Sequence, residues 1–243
     1  MKIAGIQKLT LLDFPGRCAA TIFMPGCNLR CPFCHNAFLV LNPNEDPYDQ
    51  DKILEFLKER LGKLTGLAVT GGEPLQYADI ADFLRKVKSI GYAIKLDTNG
   101  CFPDRLKALI DEGLVDYVAM DIKNSWASYP KTIGLNEEQG ALAVSNIQRS
   151  MDILKNSNIE FEFRSTIVNP LHSKEDIEEM AKSVGPVPHY FLQCFADSGD
   201  ILGDDCKGGS QNLRYSAYEK EVLYEFLEIA KQYSPNVQLR GVD

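Results

Sequence analysis

The stretch AATIFMPGCNLRCPFCHN, residues 19–36, joins a short apolar run to a loop that carries three cysteines. Residues 19–24 are rich in apolar and β-branched side chains, which predicts a buried strand. Cys27, Cys31 and Cys34 follow, with three residues in the first gap and two in the second. Three sulfurs this close together indicate an iron–sulfur cluster, a zinc site, or a disulfide with a spare thiol.

The disulfide is disfavoured by the rest of the sequence. The N-terminal run MKIAGIQKLT lacks the apolar segment of a signal peptide. No stretch approaches 18 consecutive apolar residues, so we expect a cytoplasmic protein that does not associate with a membrane. Cytosolic thiols stay reduced, and the total of seven cysteines is odd, which counts against a complete disulfide framework.

Zinc and an iron–sulfur cluster remain as the two metal interpretations. Structural zinc sites take four ligands, usually as two pairs from separate places in the chain. No second C-x2-C pair follows here, and His35 directly follows Cys34, which is a poor arrangement for sharing one ion. A cluster held by three cysteines leaves one iron open for another ligand. The spacing favours a cluster and leaves zinc as the alternative.

Strand-like and helix-like segments alternate along the chain. The strand-like runs are 19–24, 67–71, 92–98, 115–123, 159–168 and 189–195. The segments with helical spacing are 51–61, 78–90, 103–113, 138–155, 174–184 and 217–232. This alternation predicts an α/β fold with a parallel sheet, and six strands would form a partial, open (β/α)6 barrel. We expect one domain over residues 1–243, with a core at about 17–195 and a C-terminal helical extension at about 210–243.

The composition excludes some classes of function. Hydrophobic residues make up 44% of the chain and charged residues 25%, which is ordinary for a globular protein. The formal net charge is -8, and no block of Lys and Arg interrupts the acidic bias. A nucleic-acid-binding surface is therefore not expected.

Polar motifs fall where consecutive predicted strands end. The cysteine loop follows the first strand, TGGEP (70–74) follows the second, DTNG (97–100) closes the third and DIK (121–123) closes the fourth. The carboxyl ends of parallel strands meet at one edge of a sheet, where ligands bind. We therefore expect these motifs to share one site.

The second motif offers backbone and a carboxylate. Gly71 and Gly72 would let the main chain approach a ligand closely. Glu73 would present its carboxylate to the ammonium group of a ligand.

The later motifs offer oxygens and positive charge. Asp97, Thr98 and Asp121 suit ribose hydroxyls or a small cation, and Lys123 and Arg164 suit a carboxylate. A ligand that combines an amino acid with a nucleoside would use the whole set.

This combination resembles the radical S-adenosylmethionine (SAM) superfamily. CNLRCPFC (27–34) has its cluster spacing, with Phe33 as the aromatic residue before the last cysteine, and GGEP (71–74) resembles its SAM-amine motif. The resemblance covers roughly residues 17–195 and implies a [4Fe–4S] cluster on Cys27, Cys31 and Cys34. The residues it implies around SAM are Phe33, Cys34, His35, Gly71, Gly72, Glu73, Asp97, Thr98, Asp121, Lys123 and Arg164.

A narrower resemblance is to the glycyl-radical-enzyme activating enzymes. CHN (34–36), LDTNG (96–100) and MDIK (120–123) carry it, and residues 11–36 look most like activating proteins of anaerobic ribonucleoside-triphosphate reductase. The resemblance implies that one electron cleaves SAM to methionine and a 5′-deoxyadenosyl radical, which takes hydrogen from a glycine of a partner enzyme. It also implies a low-potential electron donor such as flavodoxin or ferredoxin. Gln193 stands where activases of formate lyase carry a histidine.

Several alternatives stay open. The chain could instead be a radical SAM enzyme that acts on a small molecule, such as a 7-carboxy-7-deazaguanine synthase, or a metal-binding protein without activity. His35 either contacts SAM or caps the loop, and Trp126 either lines the site or packs beneath it. The remaining cysteines could hold a second cluster, although their scattered spacing favours small buried hydrophobic residues; they are Cys18, Cys101, Cys194 and Cys206.

Overall fold

The computed structural model describes residues 1–44, 48–196, 201–205 and 215–242. Within these residues, eight strands form one sheet in sequence order. The strands are β1 (Gly5–Thr10), β2 (Ala19–Met24), β3 (Gly66–Gly71), β4 (Ala93–Thr98), β5 (Tyr117–Asp121), β6 (Glu160–Ile167), β7 (Tyr190–Cys194) and β8 (Val237–Arg240). β1 pairs with β2 in the antiparallel sense, and the pairs from β2 to β8 are parallel.

Helices connect the parallel strands, as right-handed crossovers require. Across the described ranges they are α1 (Ala37–Leu41), α2 (Gln50–Glu59), α3 (Ile80–Ile90), α4 (Pro103–Asp111), α5 (Tyr129–Thr132), α6 (Glu137–Lys155), α7 (Lys174–Val184), α8 (Leu202–Asp205) and α9 (Lys220–Lys231). A short 3-10 turn, Pro74–Gln76, follows β3. The six predicted strands and six predicted helices are confirmed, with ends that differ from the prediction by at most three residues.

The sheet extends beyond the six predicted strands at both edges. β1 adds an antiparallel strand beside β2, and β8 adds a parallel strand beside β7. The extension predicted as helical at about 210–243 contains strand β8 as well as helix α9 within residues 215–242, which the structure describes. β1 and β8 are the two ends of the strand order, so the sheet is open and the predicted partial α/β barrel is confirmed. No helix in the described part of the chain has the length and hydropathy needed to cross a membrane.

Alternation along β4 places apolar side chains on one face of the sheet and polar side chains on the other. In β4, Ile94 and Leu96 join the main hydrophobic core, whereas Lys95 and Asp97 bond to each other on the opposite face. Apolar stripes of the helices cover the first face; α3, for example, buries Ile80, Phe83, Leu84 and Val87. The second face is the inside of the open barrel, and its polar rows lead to the carboxyl ends of the strands.

Candidate active site

A cavity of about 280 Å³ lies at the carboxyl ends of the strands. The predicted site residues that line it are Cys27, Cys31, Phe33, Cys34, His35, Gly71, Gly72, Asp97, Thr98, Asp121, Lys123 and Arg164. Glu73 is the predicted residue that does not line it. The lining also includes residues outside the predicted set: Leu29, Asn36, Val40, Thr70, Asn99, Thr166 and Gln193.

The cysteine loop is held in place by main-chain hydrogen bonds to neighbouring elements. Gly26 N donates to Leu39 O of α1 at 2.8 Å, and Gly26 O accepts from Glu73 N at 2.9 Å. The side-chain amide of Asn36 donates to Gly71 O at 2.9 Å. The bonds to Glu73 and Gly71 tie the two ends of the loop to the end of β3, and the bond to Leu39 ties it to α1. The positions of the cysteines therefore follow from the protein fold.

Two of the three cysteines have strongly desolvated thiols. Cys31 is buried and Cys27 is half-buried. Burial raises the pKa of Cys27 to about 11 and that of Cys31 to about 12. Both sulfurs are therefore protonated at neutral pH in the absence of a metal, and ligation would replace the protons.

The two metal interpretations require different arrangements of ligand side chains. Within residues 1–44, 48–196, 201–205 and 215–242, no three His, Cys, Asp or Glu side chains lie close enough together to ligate one metal ion. A cubane cluster makes a different demand, because each of its irons takes its own cysteine and the sulfurs surround a cavity. Cys27, Cys31 and Cys34 all line the same cavity, and this arrangement fits a [4Fe–4S] cluster.

The glycine pair has a packing role that the sequence did not indicate. A Cβ atom on Gly72 would lie 1.8 Å from Gly26 O, inside the cysteine loop. Gly71 has φ +114°, and a Cβ there would lie 2.4 Å from Met24 N. Both glycines line the cavity, but their lack of a side chain is required first by the backbone that packs behind them.

Glu73 points away from the cavity and is fully buried. One carboxylate oxygen accepts from Leu75 N at 3.0 Å and from Thr98 Oγ1 at 2.8 Å, and the other accepts from Asn99 N at 2.7 Å. Burial raises the pKa of Glu73 to about 7, against the opposing effect of these donors. Its visible role is to join the end of β3 to the end of β4.

A network of ion pairs forms the far wall of the cavity. Arg164 Nε and Nη2 lie 3.0 and 2.9 Å from Asp121 Oδ1, and Lys123 Nζ lies 2.8 Å from Asp121 Oδ2. Arg164 Nη1 lies 3.3 Å from Asp97 Oδ2, and Lys95 bonds to the other oxygen of Asp97. Burial opposes the charge on Asp121, but the two cations outweigh it and hold its pKa well below the usual range. Three cations face two carboxylates, which leaves one positive charge in excess.

Residues beneath the site fix the segment that carries Lys123. Tyr129 Oη accepts from Lys123 N at 3.1 Å, and Trp126 packs against the Tyr129 ring with centroids 5.4 Å apart. Trp126 therefore packs beneath the site. His172 accepts from Val168 N through Nδ1 at 3.0 Å, and its Nε2 donates to Lys123 O at 2.9 Å.

The other cysteines lie in different environments. Cys101 is buried, as expected for a small hydrophobic residue, and Cys194 is half-buried. Cys18 is exposed, so the expectation that it is buried is wrong. Cys206 falls outside the described residues.

Comparisons with known proteins identify relatives of this chain. A protein of Methanocaldococcus jannaschii, provisionally named a glycyl-radical enzyme activating enzyme, is 31% identical over 99% of this chain and 96% of its own length. The 7-carboxy-7-deazaguanine synthase of Hyperthermus butylicus is 31% identical over 37% of this chain and 38% of its own length.

Among solved structures, Streptococcus suis SuiB bound to the precursor peptide SuiA has the same fold, with a TM-score of 0.64 at 13% identity. The match covers 91% of this chain and 48% of that one, so this chain spans about half the length of SuiB. The family model of the radical SAM superfamily matches residues 21–185. This match covers well over half of the 243 residues, and the chain therefore belongs to the radical SAM superfamily.

Proposed function

We propose that this chain is an activating enzyme that generates a glycyl radical on a partner protein, with a [4Fe–4S] cluster and SAM as cofactors. The observation that carries the proposal is the cavity in which three thiols face a buried cluster of positive charge, at the end of an open sheet. Likeness to the M. jannaschii relative extends over nearly the full length of both chains, whereas likeness to the synthase covers little more than a third. This difference favours the activating enzyme over the small-molecule enzyme.

Cys27, Cys31 and Cys34 would hold the cluster, and the cysteine loop supplies no fourth sulfur. The excess positive charge of the Lys123, Asp121 and Arg164 group would attract the carboxylate of SAM. When bound, the cluster and SAM supply one-electron chemistry, namely reductive cleavage of the sulfonium and hydrogen abstraction from a glycine α-carbon.

The chain's own contribution is to position these groups and to exclude water. Leu29, Phe33 and Val40 give the cavity apolar walls beside the cysteines. Burial lowers the pKa of His35, so its ring is neutral near the cysteines at physiological pH. An apolar, enclosed wall protects a reactive intermediate from solvent.

The partner we propose is an anaerobic ribonucleoside-triphosphate reductase, because residues 11–36 resemble its activating proteins. The electron donor we propose is a low-potential protein such as flavodoxin or ferredoxin. With a chemical reductant as the electron source, the test of the partner does not depend on which protein is the natural electron donor.

The test is anaerobic incubation of the reconstituted protein, SAM and a photoreduced deazaflavin with the reductase or with pyruvate formate-lyase. A glycyl-radical doublet in the electron paramagnetic resonance (EPR) spectrum is expected, and it should narrow when the glycine of the partner is α-deuterated. Replacing that glycine by alanine should abolish the doublet.

Cys31→Ser is the matched control, because it should lose the cluster and the signal together. A doublet with pyruvate formate-lyase alone would keep the activating function and reject the reductase as partner. Absence of a doublet with both enzymes, together with 5′-deoxyadenosine formed on addition of a 7-deazaguanine precursor, would establish the small-molecule enzyme instead.

A further inference from the structure

Two hydrogen-bond donors lie beside the sulfur of Cys27. Leu29 N donates to Cys27 Sγ at 3.4 Å, and the side-chain amide of Asn99 lies 3.7 Å from the same sulfur, in donor geometry. Asn99 belongs to the turn after β4, more than 70 residues away in sequence, and it is buried. The contact between Asn99 and Cys27 is therefore formed by the folded chain and not by neighbouring residues of the sequence.

The orientation of the Asn99 amide is fixed by its other contacts. Its Oδ1 accepts from Cys101 N at 3.0 Å, so the NH2 group must face the opposite side. There Nδ2 donates to Asn28 Oδ1 at 2.9 Å, and the second hydrogen is left for Cys27 Sγ. A flipped amide would bring Oδ1 against Asn28 Oδ1 and Nδ2 against Cys101 N, so both contacts would become repulsive.

Glu73 fixes the backbone on which this amide is carried. Its carboxylate accepts from Asn99 N at 2.7 Å and from Thr98 Oγ1 at 2.8 Å. These bonds hold the turn that carries Asn99, although Glu73 itself does not line the cavity. Glu73 is a positioning residue that acts through Asn99.

We infer that Asn99 tunes the reduction potential of the cluster by donating a hydrogen bond to the sulfur of its Cys27 ligand. Reduction adds negative charge that is shared with the ligand sulfurs, and an N–H donor stabilises that charge. Removal of the donor should therefore lower the midpoint potential. The inference rests on the cluster and is independent of the partner protein.

The test is a redox titration of the reconstituted protein without SAM or partner, monitored by EPR of the reduced cluster. Asn99→Ala removes the donor without adding charge, and a more negative midpoint potential is expected. Asn99→Asp keeps an acceptor for Cys101 N but replaces the donor by a negative charge, so a larger negative shift is expected. Asn156→Asp makes the same chemical change at the exposed end of α6, and its potential should equal that of the wild type.

Iron and sulfide content should be matched between variants before the potentials are compared. If Asn99→Ala cannot be loaded with iron, Asn99→Asp provides the same test, because it preserves the size of the side chain and the bond to Cys101. A wild-type potential in a loaded Asn99 variant would overturn the inference. The titration contains neither SAM nor a partner protein. Its result therefore does not depend on whether the proposed activating function is correct.

Discussion

Replacement of Gly72 by alanine tests whether the glycine pair is required by the cysteine loop. The backbone of Gly72 is outside the left-handed region, so alanine meets no conformational penalty there. The cost comes from contact, because the new Cβ would lie 1.8 Å from Gly26 O and 2.6 Å from Gly26 C. Ordinary contact begins at 3.4 Å, so the loop must move by about 1.6 Å.

A movement of this size has two energetic consequences. Overpacking typically costs about 1–3 kcal/mol. The shift also breaks the bonds of Gly26 to Glu73 N and Leu39 O, each worth about 0.5–1.5 kcal/mol. We therefore expect the free energy of unfolding of the metal-free protein to fall by about 2–6 kcal/mol, with poor iron loading because Cys27 moves with the loop.

Urea unfolding of the metal-free protein and iron and sulfide analysis after anaerobic reconstitution measure the two effects. Gly5→Ala is the matched control, since its Cβ would lie 3.6 Å from Phe23 in ordinary contact, and its change should stay within about 0.5 kcal/mol. A Gly72→Ala protein with the wild-type urea midpoint and about four irons per chain would refute the packing argument.

Three further predictions follow from the cysteines and the buried charges. Cys31→Ser should abolish iron and sulfide binding, because a hydroxyl is a poor substitute for a thiolate, whereas exposed Cys18→Ser should bind both at the wild-type level. Arg164→Met should lower the free energy of unfolding by about 3 kcal/mol, since Asp121 loses two bonds; an unchanged urea midpoint would contradict this. Burial lowers the pKa of His172 below 6.5, so the unfolded chain binds more protons and stability should fall as the pH drops below about 6.5. His172→Gln should flatten that part of a melting-temperature profile, and identical profiles would show that His172 is not the cause.

The buried strands could be predicted from sequence because their apolar runs are continuous. β3 and β5 are buried on both faces, and most of their side chains are therefore apolar. β1 escaped prediction because it is an edge strand with three exposed residues, Gln7, Lys8 and Leu9. β8 has four residues, which is too short for a periodic signal.

The site could be predicted as a set of motifs, since strand order brings the loops together. The direction in which each side chain points could not be predicted from the sequence. Glu73 turns into the protein because Thr98 and Asn99, on the next strand's end, supply donors that no local pattern reveals. Lys95 also joins the ion-pair network, and its partner Asp97 lies two residues further along the same strand, so the alternation of side chains could have indicated this pair. The signal for Asn99 was present in DTNG, but its partner sulfur lies far away in the sequence.

The anchoring of the cysteine loop bears on what happens to the chain when a cluster is lost. The bonds to β3 and α1, and those from Leu202 and Gly203 of α8 to Cys34 O and Pro32 O, involve no metal. Small zinc domains fold only when the ion arrives, so loss of the ion is also loss of shape. Here we expect the protein to keep its far-UV circular dichroism after chelation or air exposure, and to recover its visible absorption when iron and sulfide are restored. Loss of the cluster would then be a reversible change of occupancy, and reloading would not require the chain to refold.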